Sequence, residues 1–173
     1  MKHPLRIGTV FILTLVLLNC SDYTIINKNG HLDEPDNVVG DRDIDQIHFT
    51  QSPPISLQRD PVSVRDGEIY KDILALTVSY GGGCGDHEFK LFVIPAFMES
   101  YPVQINLFFQ HTNIDDSCEA LISETFFFDI RRIADLYASQ YGGYDDIILN
   151  IYGYFEVEPD HEDRIRVTYS PLP

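Results

Sequence analysis

Basic residues are scarce in this sequence. Lysine and arginine together number 12 against 27 aspartate and glutamate residues, so the 173-residue chain has a formal net charge of −15. A surface with this charge repels phosphate backbones and anionic lipid headgroups, which disfavours nucleic-acid binding and electrostatic adhesion to a membrane. Hydrophobic residues nevertheless make up 44% of the chain, too many for a chain that stays disordered for want of a core.

The sequence also lacks the short motifs of common catalytic and nucleotide-binding sites. It contains no G-x-S-x-G, no H-E-x-x-H and no P-loop. These absences favour a non-enzymatic binding or structural protein. A hydrolase with His111 as general base is an alternative for which no nucleophile can be named.

Long apolar runs are missing beyond the first twenty residues. Lys2 and Arg6 flank a short positive segment, and residues 7–18 then form an apolar stretch, which is the order of a secretory signal. Twelve helical residues span about 18 Å, well short of the ~30 Å hydrocarbon layer. We therefore expect a removable signal followed by a soluble body.

The end of this stretch, Leu17–Cys20, resembles the lipobox of bacterial lipoproteins. Leu17 matches the leucine three residues before the cysteine, and Cys20 matches the residue that is lipidated. The resemblance covers only residues 1–21. It implies cleavage after residue 19, a diacylglyceryl thioether and an N-acyl chain such as palmitate on Cys20, and a membrane contact through these lipids. Ser21 is similar to the outer-membrane sorting pattern, which favours the outer over the inner membrane of the cell envelope.

The mature chain divides by composition into a lead-in and one domain. Removal of 19 of the 173 residues leaves 154, with ten basic and 27 acidic residues and a net charge of −17. Residues 20–44 are rich in Asn, Asp, Gly and Glu, which predicts a lipid-anchored acidic tether. Residues 45–173 are predicted to form a single β-rich extracytoplasmic domain.

Alternating apolar and polar residues predict a mainly β fold from residue 72 onward. Asp129 is a candidate cap for one short helix near 130–140, and Gly142 and Gly143 are expected to end it. Pro53, Pro54 and Pro61 interrupt the preceding stretch, where only a short edge strand near 47–50 is expected. The pattern predicts an antiparallel β-sandwich or curved sheet, with strands near 74–80, 89–93, 103–111, 119–129, 146–155 and 164–169.

Two cysteines, Cys84 and Cys118, remain once Cys20 carries the lipid. An even number of cysteines in an oxidising compartment predicts a disulfide between them. The alternative is a zinc or copper site in which His87 and His111 join the two thiolates. The two hypotheses exclude each other because oxidation removes the thiolate ligands. The disulfide hypothesis requires no cofactor.

His111 and Glu124 form another constellation of interest. Each lies on the apolar side of its strand, and the short connection 113–118 predicts that the two strands pair as a hairpin. A buried imidazole and a buried carboxylate should then be hydrogen-bonded to each other or to the backbone. Such a pair could be a structural ion pair, the beginning of a general base, or the second shell of a metal.

Two aromatic runs, Phe126–Phe128 and Tyr152–Phe155, place rings on both faces of their strands. One face could present a platform for a protein or glycan partner, and core packing is the alternative use.

Replacement of Cys20 by serine tests the lipoprotein resemblance. We expect Cys20→Ser to abolish incorporation of labelled palmitate, because the thioether has no sulfur on which to form. The measurement is fatty-acid labelling followed by fractionation of the cells. Ser21→Ala keeps the cysteine and is the matched control. Undiminished labelling of Cys20→Ser would contradict the resemblance.

Overall fold

The structure, a computed structural model, describes residues 43–52, 60–153 and 164–172. The predicted signal peptide 1–19, Cys20 and all but the last two residues of the tether 20–44 lie outside the described residues. These assignments therefore stay predictions.

The described residues form nine strands and one helix in two mixed sheets. The first sheet has the order β1-β7-β4-β3, and the second has the order β2-β5-β6-β8-β9. The predicted fold class, a mainly β sandwich with one short helix, is confirmed. In chain order the elements are β1 (Ile44–Gln46), β2 (His48–Phe49), β3 (Val62–Tyr70), β4 (Ile73–Gly82), β5 (Asp86–Val93), β6 (Val103–Ile114), β7 (Ala120–Asp129), α1 (Arg131–Tyr141), β8 (Ile147–Tyr152) and β9 (Arg164–Tyr169).

Three strand pairs are parallel, which differs from the antiparallel arrangement that we predicted. They are β1–β7, β2–β5 and β6–β8. After β6 the chain crosses to the other sheet as β7, continues through α1 and returns as β8 beside β6. A connection of this length allows parallel pairing. The predicted hairpin of β6 and β7 is therefore wrong, because these strands lie in different sheets.

The core lies between the two sheets. On β6 the inward residues Ile105, Leu107 and Phe109 alternate as the sequence predicts and are almost fully buried, and His111 continues the same face. The neighbouring strands contribute branched and aromatic side chains to the same cluster. Full burial of one such side chain stabilises the fold by roughly 1.5–3 kcal/mol. Among the described residues, no helix is long and apolar enough to cross a bilayer.

Helix α1 begins and ends close to its predicted limits. The N-cap residue is Ile130, whose side chain makes no capping hydrogen bond; the predicted cap Asp129 lies one residue earlier, and its carboxylate accepts the backbone N–H of Arg131 over 2.9 Å. Gly142 adopts φ 78° and donates its N–H to the carbonyl of Ala138, which is the left-handed helix end for which glycine is favoured. Ile133 and Tyr137 bury the inward face.

Strand β3 was not predicted, because Pro61 and the polar residues after it mask its pattern. A register shift between Val64 and Asp66 also interrupts the alternation. Gly67 lies where β3 approaches β9: a Cβ there would stand 2.9 Å from methyl carbons of Ile165 and Val167. The absence of a side chain at residue 67 therefore sets how closely the two sheets approach.

Substitution of Gly67 by valine should destabilise the protein by about 1–3 kcal/mol, the usual cost of overpacking. The reason is that the new side chain has to displace Ile165 and Val167. Gly81→Val is the matched control, because a Cβ at Gly81 meets nothing within 4 Å. The free energies of unfolding of both variants can be measured in urea. Equal values would show that the close approach of β3 to β9 does not constrain residue 67.

Candidate functional site

The disulfide between Cys84 and Cys118 closes one end of the sandwich. Cys84 lies between β4 and β5, and Cys118 lies between β6 and β7. Their Cα atoms are 5.8 Å apart. Since β4 and β7 belong to one sheet and β5 and β6 to the other, the bridge ties two connections that each cross between the sheets.

The carboxylate of Asp116 organises the backbone around this bridge. One oxygen accepts the N–H groups of Gly83 and Cys84, and the other accepts the N–H of Cys118 over 2.8 Å. These bonds, among which that of Cys118 contributes most to the shift, hold the pKa of Asp116 well below its ordinary value. Asp116 is therefore a fixed negative charge beside the disulfide.

Two histidines extend from this carboxylate into the sandwich. His87 Nε2 is 3.0 Å from Asp116 Oδ2, and His87 Nδ1 is 2.8 Å from His111 Nε2. His111 Nδ1 is in turn 3.3 Å from the carbonyl oxygen of Pro61. We call Asp116, His87 and His111 the Asp–His–His row. Burial lowers the pKa of His111, although the Pro61 carbonyl acts in the opposite sense.

Gly82 allows the loop to approach this row closely. It has φ 148°, and a Cβ at this position would stand 2.5 Å from the His87 ring and 2.8 Å from Asp116 Oδ2. Any side chain at residue 82 would therefore displace one of these groups. The glycine at residue 82 thus gives His87 and Asp116 room to meet.

The predicted metal site of Cys84, His87, His111 and Cys118 is not assembled in this structure. The bridge uses both sulfur atoms, and His111 directs its two ring nitrogens at His87 and Pro61. Among the described residues, the only potential metal-binding group is Cys84, Asp116 and Cys118, whose ligand atoms lie within 4.8 Å of one another. The zinc or copper alternative would require the dithiol state.

The predicted buried pair of His111 and Glu124 is wrong. His111 is 1% exposed, whereas Glu124 is exposed on β7 in the other sheet. The carboxylate of Glu124 accepts the hydroxyl of Tyr80 over 2.9 Å. Burial and this hydrogen bond raise the pKa of Tyr80 to about 12. Glu124 precedes the segment Phe127–Asp129 of β7 that pairs with β1.

His111 also has no position from which to act as a hydrolytic base. Its ring lies among those of Tyr80, His87 and Phe89, with centroids about 5 Å away. Both ring nitrogens are within hydrogen-bonding distance of other groups. The side chain is therefore part of the packed interior of the sandwich.

A tyrosine cleft of about 320 Å³ lies at the opposite end of β6. Tyr101 is 94% exposed and Tyr144 is 42% exposed, so their rings are open to solvent, whereas Tyr137 is buried. Tyr141 stacks on Tyr137 with 4.7 Å between the ring centroids. The lining includes Tyr101, Val103, Tyr137, Tyr144, Asp145 and Asp146.

Two carboxylates in this cleft each have one hydroxyl partner. Asp145 accepts the hydroxyl of Tyr137 over 3.2 Å, and Asp146 accepts that of Ser170 over 2.6 Å. Burial and the nearby Asp145 raise the pKa of Tyr137. Neither lysine nor arginine occurs among the described residues that line the cleft. The cleft therefore combines open aromatic rings with uncompensated negative charge.

Sequence reasoning missed both Asp116 and the cleft. The spacing Asn113-x-x-Asp116 was a usable signal: the Asn113 carboxamide donates to the Asp116 carbonyl and accepts the Asp116 N–H, a local turn. The cleft gave no comparable local signal in the sequence, because Tyr101 lies more than thirty residues from Tyr137 in the chain.

Comparisons with known proteins support the fold but identify no family. A scan of family descriptions and a comparison with the curated proteins give no match. Among solved structures, a NigD-like immunity protein from Bacteroides caccae shares 18% identity with a TM-score of 0.50, over 75% of this chain and 64% of that one. A candidate toxin-related protein from Parabacteroides distasonis gives 20% and 0.47 over 73% and 61%. A candidate lipoprotein from Bacteroides fragilis gives 12% and 0.44 over 73% and 70%.

The likeness to the immunity protein supports the β-sandwich and nothing finer. The present chain spans less than two thirds of the length of the first two of these structures, 61% and 64%.

Loss of the bridge should lower stability substantially. The bridge spans a sequence separation of 34 residues, for which the chain-entropy estimate is about 4 kcal/mol. We expect the double variant Cys84→Ser/Cys118→Ser to lose roughly this amount in urea unfolding. Intact mass after alkylation of the native, envelope-derived protein is the companion measurement. Two freely alkylated thiols there would contradict the bridge.

Proposed function

We propose that this protein is a lipid-anchored protein of the bacterial cell envelope whose disulfide-stabilised sandwich binds a cationic segment of a protein partner in the tyrosine cleft. The single observation that carries this proposal is the cleft, in which solvent-exposed tyrosine rings stand beside two carboxylates and no lining cation. The protein is in this proposal a binding protein and not an enzyme.

The anchor is supported by the sequence. Leu17 and Cys20 match the lipobox, and Ser21 matches the sorting pattern of the outer membrane. The body would then stand on a lead-in of about 25 residues from the lipid, in a compartment where the bridge of Cys84 and Cys118 can form.

A cationic ligand fits the chemistry of the cleft. The face of a tyrosine ring attracts an ammonium or guanidinium group, which is worth about 0.5–1 kcal/mol at an exposed site and more where water is excluded. Asp145 and Asp146 add charge of the required sign. The net charge of −15 would also speed the approach of a cationic partner at low salt.

A glycan is the competing ligand. Tyrosine faces and carboxylates can also contact the apolar faces and hydroxyl groups of a sugar. A neutral sugar can donate hydrogen bonds to the two carboxylates through its hydroxyl groups, but it gains no charge–charge attraction from them or from the net charge of the protein. These electrostatic features therefore favour the cationic segment, and the glycan becomes one outcome of the test.

Binding can be measured by NMR titration with three probes. These are a blocked tri-arginine peptide, its uncharged tri-citrulline analogue and chitotriose. We expect the arginine peptide to shift resonances of Tyr101, Tyr144 and Asp145, and the citrulline peptide to bind several-fold more weakly. Binding of chitotriose alone would overturn the ligand class. If none of the three probes shifts the resonances of residues in the cleft, the proposed binding site is wrong.

Variants with matched controls locate the binding energy. Tyr101→Ala should weaken binding of the arginine peptide about fivefold, the equivalent of ~1 kcal/mol. Asp145→Asn should also weaken it while keeping an acceptor for the Tyr137 hydroxyl. Leu121→Ala, an exposed residue of β7, and Asp86→Asn, with the same change in net charge, are the controls. Equal effects of the test and control variants would count against the cleft.

A further inference from the structure

The Asp–His–His row begins and ends with a hydrogen-bond acceptor. Asp116 is 3.0 Å from His87 Nε2 at one end. The Pro61 carbonyl is 3.3 Å from His111 Nδ1 at the other end. Between them, His87 Nδ1 and His111 Nε2 are 2.8 Å apart. The row therefore contains three consecutive hydrogen bonds.

These three bonds require three protons on ring nitrogens. A carbonyl oxygen only accepts, and Asp116 is ionised because backbone N–H groups hold its pKa well below the ordinary value. Two neutral imidazoles carry only two N–H groups. The geometry is therefore complete only when the two rings together hold one proton more than two neutral histidines.

In the state that holds this extra proton, the burial of His111 decides which of the two rings would carry the charge. His111 is 1% exposed, and burial lowers its pKa, so His111 is the neutral ring. It donates from Nδ1 to Pro61 and accepts at Nε2. His87 then donates from both nitrogens, to Asp116 and to His111, and its positive charge lies against the carboxylate.

Other ionisable groups reach the row from each neighbouring element. Tyr80 on β4 packs its ring about 5 Å from both histidines, and its hydroxyl donates to Glu124 on β7. Asp60, just before β3, accepts the N–H of Asn113 and favours a proton on His111. The negative groups around the row thus favour retention of one positive charge.

We propose that the Asp–His–His row is a proton-binding site that latches the disulfide-bearing end of the sandwich while it holds one extra proton. His87 lies at the start of β5, and Asp116 lies in the connection from β6 to β7. When the extra proton leaves, at most two of the three contacts can be satisfied. Asp116 or the Pro61 carbonyl then faces a ring-nitrogen lone pair, or the lone pairs of His87 Nδ1 and His111 Nε2 face each other.

Stability should consequently be greatest at an intermediate pH. As the pH rises and the shared proton leaves, the stabilisation that depends on it is lost. As the pH falls, a second proton has to enter buried His111, whereas the unfolded chain accepts it readily, so stability falls there too.

The direct test is nitrogen-15 NMR of the imidazole rings in the native, disulfide-bonded protein at pH 7. We expect one ring with both nitrogens protonated, one neutral ring protonated at Nδ1, and a scalar coupling across the hydrogen bond between them. Two neutral rings at pH 7, or two rings that titrate independently of each other, would overturn the proposal.

Variants provide a second, independent readout. His87→Gln keeps an amide that can donate and accept but removes the titratable charge, so the decline of stability at alkaline pH should disappear. His48→Gln, at an exposed residue of β2, is the matched control and should retain the wild-type pH profile. If a folded His87→Gln protein still loses stability at alkaline pH as the wild type does, the proposed role of the Asp–His–His row is contradicted. Should that variant not fold, the NMR measurement on the native protein decides.

Discussion

The carboxylate of Asp116 is the group on which the disulfide-bearing end of the sandwich depends. It accepts backbone N–H groups from both connections that the bridge joins, and it also contacts His87. The bridge fixes the two connections covalently, but a single covalent link still permits rotation about it. The carboxylate adds several directed contacts, so the loop around Cys84 has one defined path. This path brings residue 82 so close to the His87 ring and to Asp116 that only glycine fits there without displacing one of them.

Strand β6 connects the two polar regions of the molecule. Its first residue, Val103, lines the tyrosine cleft, and His111 near its other end belongs to the Asp–His–His row. Eight residues of extended chain separate them by about 26 Å. Between the two ends, β6 is central in its sheet and its inward side chains are buried. Because the two regions share no residue and lie far apart, we expect substitutions in one to have little effect on the other.

The sequence predicted those parts of the fold whose pattern is local. Strand β6 and helix α1 follow from alternation and from a helix-ending glycine, which act within a few residues. The side of a strand was also predictable: Glu124 does share its alternation with Phe126 and Phe128. The sheet to which a strand belongs was not predictable, since a short connection can form either a hairpin or a crossover between sheets. The error over His111 and Glu124 has this origin.

The acidic residues of the protein differ in how much of their charge is available to a partner. Asp116 is surrounded by backbone donors and by His87, so its charge is already compensated and serves the fold. Glu124 is exposed but stands beside the hydroxyl of Tyr80 at an open strand edge. Asp145 and Asp146 each accept one neutral hydroxyl in a cleft without a lining cation. A hydroxyl donor satisfies one lone pair and neutralises no charge, so the charge of the cleft pair remains available to the cationic partner that we propose for this cleft.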